Sequence, residues 1–312
     1  MEFATNHWPS AKSVAEQKQA GARVAVQADA EAITRLLRSA EGSHVHVDWR
    51  LPADWLGSPH FVLLPTPAVE TGRFLSRLFA PPERALACLA ATADPPPAAW
   101  VRVAAVAQEA DSLTLLDEML AMVTASLQET AVTQLGWLVA QAWPNRWLPA
   151  LGFGLVNEIE TYLKDNLDAP PLRPTADLLI RPARLADLSA LAQIEVDAFE
   201  PLWRLSSETL ALAQRDALCF DVAEWHGRLV GYQLSVGGPG SAHLVRLTIA
   251  HDAQGQGVGS ALLAQALQTY RHHGLRRVSL NTQIDNNTSQ RLYHKFGFYA
   301  TGERLPVWCK TI

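Results

Sequence analysis

Cysteine is scarce in this 312-residue chain: Cys88, Cys219 and Cys309 stand alone, with no CxxC spacing. That excludes a disulfide framework and a zinc site, so no metal is expected, and buried core thiols are the expected role. Long apolar runs are also missing. No stretch of about 18 uncharged apolar residues exists, so no transmembrane helix of ordinary length is expected. The opening, MEFATNHWPSAKSVAEQKQAGAR, lacks the basic start and apolar centre of a signal peptide. A cytoplasmic location is the default expectation. Charge is sparse at 18% and unevenly spread: residues 1–170 hold 12 Lys+Arg against 19 Asp+Glu, and 171–312 hold 14 against 12. No basic cluster suits nucleic acid, and only the second half would attract an anion, weakly.

What is present is apolar content of 48%, enough for two cores at this length. The segment DAPPLRP, 168–174, has three prolines in seven residues and no apolar periodicity, the composition of a semi-rigid linker. A second proline-rich stretch, TADPPPAAW at 92–100, reads as a loop between two elements. The resulting division is a tail over 1–22, one domain over 23–168, a linker over 169–176 and a second domain over 177–312.

In the second domain the patterns predict a strand at 177–183, a helix over 185–199, a hairpin over 219–236 turning at His226-Gly227, and a strand at 241–250. A helix over 258–273 ending at Gly274, a strand RRVSLNTQ, a helix NTSQRLYHKFG and a final strand pair or extended tail follow. The first domain echoes this pattern. VRV at 101–103 lies opposite VRL at 245–247, and PALGF at 149–153 lies opposite HKFGF at 294–298, with offsets of 144 and 145 residues. A duplicated α/β domain explains both anchors.

Between the strand at 241–250 and the helix that follows, AQGQGVGS (253–260) places Gly255, Gly257 and Gly259 at alternate positions. A helix N-terminus offers unpaired N–H groups and partial positive charge, and residues without Cβ admit a pyrophosphate close to the backbone. The G-x-G-x-G spacing lacks the G-x-G-x-x-G of a dinucleotide turn, Arg276 and Arg277 stand where its acid would be, and no G-K-[ST] is present.

Gln254-x-x-Gly257-x-Gly259 resembles the acyl-CoA-binding motif Q/R-x-x-G-x-G/A of the GCN5-related N-acetyltransferases, the GNAT family. Asn286-x-x-Ser289-x-x-Leu292-Tyr293-x-x-x-Gly297-Phe298 resembles that family's N-x-x-A-x-x-L-Y-x-x-x-G-F segment. The likeness covers 177–312, and its flavour is that of the ribosomal-protein alanine N-acetyltransferases. It implies two tandem GNAT-like domains, each a mixed, mostly antiparallel sheet flanked by helices. It also implies acetyl-CoA as co-substrate and direct attack by a primary amine of a small molecule or peptide N-terminus.

On that resemblance the backbone of Leu247, Thr248 and Ile249 would hold the pantetheine arm. Gln254, Gly255, Gln256, Gly257, Val258, Gly259 and Ser260 would hold the pyrophosphate, and Asn286 and Tyr293 the thiol end, with Tyr293 as general acid. Asn286 also suits a helix cap, and Tyr293 core packing. The family's glutamate is replaced by Asn281, which cannot act as a base. His243 stands where many relatives have another glutamate and becomes the candidate base, with Asn281 a substrate or water contact. That departure keeps a non-catalytic acyl-CoA-binding or regulatory module as the competing reading. In the first domain ADSLTL, 110–115, replaces the glycine turn, Gln141 stands opposite Asn286 and Leu148 opposite Tyr293, so that domain is expected not to be catalytic. Trp137, Trp143 and Trp147 are expected in its core.

Overall fold

A computed structural model describes residues 21–40, 42–46, 48–66, 84–107 and 111–312. Most of the 1–22 tail, and Ala110 at the head of ADSLTL, lie outside the described residues. Both halves build onto one mixed sheet of 13 strands. The first half runs β1 (Arg23–Val24), α1 (Ala30–Ser39), β2 (Gly42–Val45), β3 (Phe61–Pro65), β4 (Ala85–Ala93), β5 (Ala98–Val106), α2 (Ser112–Gln128), β6 (Gln134–Leu138) and β7 (Gly154–Lys164). The second half runs β8 (Leu178–Pro182), α3 (Leu188–Ala198), α4 (Ser207–Asp216), β9 (Ala217–Trp225), β10 (Arg228–Gly238), β11 (Ser241–Ile249), α5 (Val258–His272), β12 (Arg277–Gln283), α6 (Asn287–Lys295) and β13 (Tyr299–Thr311). The expected elements of the second half are present, with α4 added and the last segment forming one long strand.

The order β1-β3-β4-β5-β6 on one side mirrors β8-β9-β10-β11-β12 on the other. Ala98 pairs with Gln134, and Ala242 with Val278, the same 36-residue separation in parallel pairing. Arg102 and Val245 are each left unpaired by a bulge. Gly152 and Gly297 both take left-handed backbone, φ 84° and 80°, and the amide of the phenylalanine after each returns to Leu148 O (2.9 Å) and Tyr293 O (3.0 Å). The sequence hides a third correspondence: Asp29 is forked by Arg23 and accepts from the Val26 amide, as Asp187 does with Arg181 and Arg184.

At the centre the copies exchange their last strands. β13 pairs with β6 of the first half (Val307↔Leu138 to Thr311↔Gln134), while β7 lies between β13 and β12 (Val278↔Lys164 to Gln283↔Ile159). The proline-rich segment leaves β7 and follows α5 backwards, from an Asp168–Arg271 ion pair (3.5 Å) to a Thr175 hydroxyl donating to Gln256 O (3.2 Å). TADPPPAAW turns the β4–β5 hairpin, as its composition implied. Trp137 is fully buried, and Trp143 and Trp147 pack against the same first-half core. No helix is long and apolar enough to cross a membrane among the described residues.

Candidate active site

Ala242, Leu244, Val278 and Leu280 pack with Leu263, Ala266 and Leu267 of α5. By strand alternation His243, Ser279 and Asn281 face the other side of the sheet. Parallel pairing of β11 with β12 ends at Leu244↔Leu280, beside the bulge at Val245. Beyond it β11 pairs, among the described residues, only with β10, so residues 245–249 present a free backbone edge to a gap between the strands. Leu247 and Ile249 then face α5, packing with Val258 and Leu262, while Arg246 and Thr248 turn towards α3.

Gly257 caps α5 in left-handed backbone, φ 87°, and no side chain caps the helix. A residue with Cβ would be strained there. The first backbone bond of α5 runs from the Ala261 amide to Gly257 O (3.0 Å), so the amides of Val258, Gly259 and Ser260 precede the ladder. A cleft of ≈ 540 Å³ opens before them. Of the predicted cofactor residues, Leu247, Ile249, Gln254, Gly255, Gly257, Gly259, Ser260 and Asn286 line it. Among the described residues no carboxylate does. Ala198 and Phe199, from the opposite face of the sheet, also line it, so the cleft reaches through the gap.

The other predicted residues lie outside that lining. The Thr248 side chain is buried on Glu195, Val258 is a core residue, and Gln256 faces a neighbouring groove. Tyr293 is buried behind Leu292 and Ser289, its ring tilted against Tyr162 and Phe298 (centroids 6.2 and 5.7 Å). Burial pushes its phenol up to about 12. His243 contacts Ser279 Oγ through Nδ1 (2.8 Å), and burial holds its pKa below the usual imidazole range. Asn281 is exposed on the same face. Asn286 does cap α6, its Oδ1 accepting from the Ser289 amide (3.0 Å), and Gln254 donates to Ile249 O (3.2 Å), tying the turn to the strand.

Sequence reasoning missed Glu195. On α3 and fully buried, it accepts from Tyr232 (2.7 Å), Thr248 (2.7 Å) and the Leu205 amide (3.1 Å), and forms an ion pair with Arg246. Arg246 also bonds Trp203 O and lies 3.7 Å over the Phe199 ring. The network ties α3 and the loop before α4 to β11 at the gap. Its only sequence signal was an acid at a position of α3 that the helical spacing places beside Leu191 and Ile194.

The first half narrows the equivalent space to a groove of ≈ 370 Å³ beside Val106, Ser112, Trp143 and Trp147. β2 pairs with β5 over Val103–Val106, the free edge in its counterpart. At the head of α2 the Asp111 carboxylate accepts from the Leu113 amide (3.2 Å) and the Thr114 hydroxyl (2.7 Å). The chain itself covers the strand edge and caps the helix head.

Comparison with known proteins agrees with this geometry. The acetyltransferase (GNAT) family model matches residues 188–298. An uncharacterized N-acetyltransferase of Methanocaldococcus jannaschii is 31% identical over 133 residues, 42% of this chain and 83% of the relative. A Bacillus subtilis protein named a putative ribosomal protein bS18-alanine N-acetyltransferase is 29% identical over 125 residues, 40% of this chain and 83% of the relative. A solved tandem GNAT protein from the clavulanic acid biosynthesis pathway covers 92% of this chain and 96% of its own at TM-score 0.55 and 16% identity, a likeness of fold. With its glycine-turn cleft and duplicated sheet, the chain belongs to the GNAT family of acyl-CoA-dependent N-acetyltransferases.

Proposed function

We propose that the second half, residues 177–312, transfers the acetyl group of acetyl-CoA to a primary amine, and that the first half, 23–168, is non-catalytic. One observation carries this: in one of two equivalent spaces the strand edge is free and no carboxylate among the described residues lines the cleft, whereas in the other β2 covers the strand edge and Asp111 caps the helix, leaving a smaller groove of ≈ 370 Å³. The amides heading α5, with Gln254 and Ser260, bind the pyrophosphate. The free edge at Leu247–Ile249 receives the amide-bearing pantetheine arm as a strand would be received. Asn286 fixes the start of α6 beside it. Acetyl-CoA supplies the activated acyl group.

The amine approaches from the face bearing His243 and Asn281. Its nitrogen bonds to the acetyl carbon as the C–S bond breaks, and the ammonium proton passes to His243, directly or through water. The lowered pKa keeps that imidazole neutral and receptive at pH 7. Tyr293, protonated at that pH, donates a hydrogen bond to the departing sulfur. A phenol near 12 is a weaker acid than a thiol near 8.5, so sharing the proton is favoured over giving it up.

The first half has a role in this reading. Trp100 Nε1 donates to Leu202 O (2.8 Å), the Trp100 and Trp203 rings meet edge-on (5.6 Å), and Thr209 bonds Asp94. These contacts support the 199–206 loop, whose Phe199 lines the cleft. The test is thiol release from acetyl-CoA with a panel of amines and peptides, alanine-initiated peptides included. Tyr293→Phe, which keeps the ring packing, should lower kcat by about 10- to 100-fold with acetyl-CoA affinity unchanged. Acetyl-CoA binding without thiol release for any acceptor would establish the non-catalytic module instead.

A further inference from the structure

Trp143 and Trp147 pack on the first-half core, yet both stay half-buried, because both line the ≈ 370 Å³ groove of that half together with the short side chains of Val106, Ala107 and Ala142. The two indoles are fixed from behind. Trp143 lies so close to β2 that a Cβ on Gly42 would stand 2.5 Å from its ring. Its ring meets those of Trp147 and the fully buried Trp137 edge-on, with centroids 6.1 and 6.3 Å apart. Trp308 Nε1 of β13 donates to Asn145 Oδ1 (3.0 Å), and the amides of Trp147 and Leu148 donate to Pro144 O (2.9 and 3.1 Å). The aromatic wall is therefore ordered in advance, and a ligand would have little ordering left to impose.

The polar groups at this wall are donors without acceptors. Arg146 holds its guanidinium 3.7 Å over the Trp147 ring. Stacking uses the face of the group and leaves its in-plane N–H fork free, and among the described residues no ion pair or hydrogen bond engages it. Trp143 Nε1 is buried with no acceptor among the described residues, a state that buried donors seldom keep. No carboxylate lines the groove among those residues, and Asp111 nearby is committed to the Leu113 amide and the Thr114 hydroxyl. Two indole walls with a few polar groups, around a space of this volume, describe a small-molecule site.

We propose that this groove binds a small carboxylate with a flat apolar body, the carboxylate accepting from Arg146 and Trp143 Nε1 and the body packing on the two indoles. A carboxylate matches the planar fork of a guanidinium, and a flat ring gains edge and face contacts with tryptophan. Asp111 at the head of α2 repels a pyrophosphate, whose several charges would meet it together, so the ligand differs in class from that of the second-half cleft. The non-catalytic half thereby holds a molecule that it does not transform.

Titration calorimetry with indole-3-acetate and its uncharged counterpart indole-3-acetamide tests this, on wild type, Arg146→Gln and a control at another exposed arginine, Arg38→Gln. Wild type should bind one indole-3-acetate with a dissociation constant of about 0.1 mM, the scale for about a dozen heavy atoms, and prefer it to the amide by about tenfold. Arg146→Gln should reduce that preference to about twofold or less with affinity for the amide unchanged, and Arg38→Gln should leave it intact. The same binding should persist with the protein saturated in acetyl-CoA. Failure of wild type to bind either indole would overturn the site, as would equal affinity for both, equal weakening of both by Arg146→Gln, or loss of the preference in the control. Displacement of indole-3-acetate by acetyl-CoA would place it in the cleft, or the co-substrate in the groove, and would overturn the proposal as well.

Discussion

Gly259→Glu should move stability and ligand binding in opposite directions, which separates the cleft's function from its role in the fold. Gly259 is the second residue of α5, and a Cβ built there meets Ile249 and Leu292 at 3.5 Å, ordinary contact. Replacing glycine inside a helix gains about 0.5–1 kcal/mol, and an acid in the first turn about 0.3–1 kcal/mol. The unfolding free energy should therefore rise by about 1 kcal/mol. The same carboxylate would compete for the free amides as Asp111 does at the head of α2. About 4 Å from a bound phosphate, at an effective dielectric of about 20, the repulsion is about 4 kcal/mol per charge pair. That corresponds to roughly a thousandfold loss of acetyl-CoA affinity. Urea unfolding and titration calorimetry on the same preparation read both quantities. An affinity within about threefold of wild type would refute the cradle, and a stability loss above about 1 kcal/mol would refute the packing argument.

Glu195→Gln leaves the Arg246 guanidinium largely buried without its carboxylate. It should cost about 3–5 kcal/mol in urea unfolding, and Glu195→Leu combined with Arg246→Leu should cost less than the sum of the singles. Losses that simply add would dismiss the network as a unit. Burial pushes His44 down to about 4. Above about 6.5 both folded and unfolded chains carry it neutral; as pH falls from 6.5 to 4 only the unfolded chain takes up the proton, so stability drops by about 3 kcal/mol across that window. Urea midpoints for wild type should fall more steeply with acid than those of His44→Gln, and parallel curves would contradict the assignment. Residues 177–312 expressed alone lack β7, the strand between β12 and β13. They should not yield a cooperatively unfolding monomer, whereas co-expression with 1–176 should; a stable lone monomer would show that the exchange is dispensable.

The features legible in the sequence are those carried by contiguous residues at fixed spacing. The glycine turn needs only a strand before it and a helix after it, and the predicted helix over 258–273 is observed over Val258–His272. Asn286 reads as a cap because its partner, the Ser289 amide, is three residues away. Glu195 was opaque because Tyr232, Arg246 and Thr248 lie 37 to 53 residues along the chain, while apolar periodicity treats an acid as surface. β2, four residues with burial alternating but only one bulky apolar side chain, has too little pattern to announce a strand. Its identity comes from the edge of β5 that it covers.

Strand exchange is the least legible feature, because two copies of one fold carry last strands of the same pattern. Pairing β7 with β6, or with β12, would satisfy the same alternation. The exchange nevertheless has a geometric consequence. β7 lies at the centre of the sheet, and the chain must pass β12, β11, β10 and β9 to begin β8 at the edge. Five inter-strand steps of about 4.8 Å come to about 24 Å, and residues 165–177, at about 3.3 Å each when extended, can reach about 43 Å. The observed route runs along α5 from Arg271 to Gln256. An unexchanged β7 would lie in the first half's own sheet, with no requirement for the connection to pass this helix. The topology that sequence could not reveal is thus what lays a proline-rich connector along α5 and against the glycine turn.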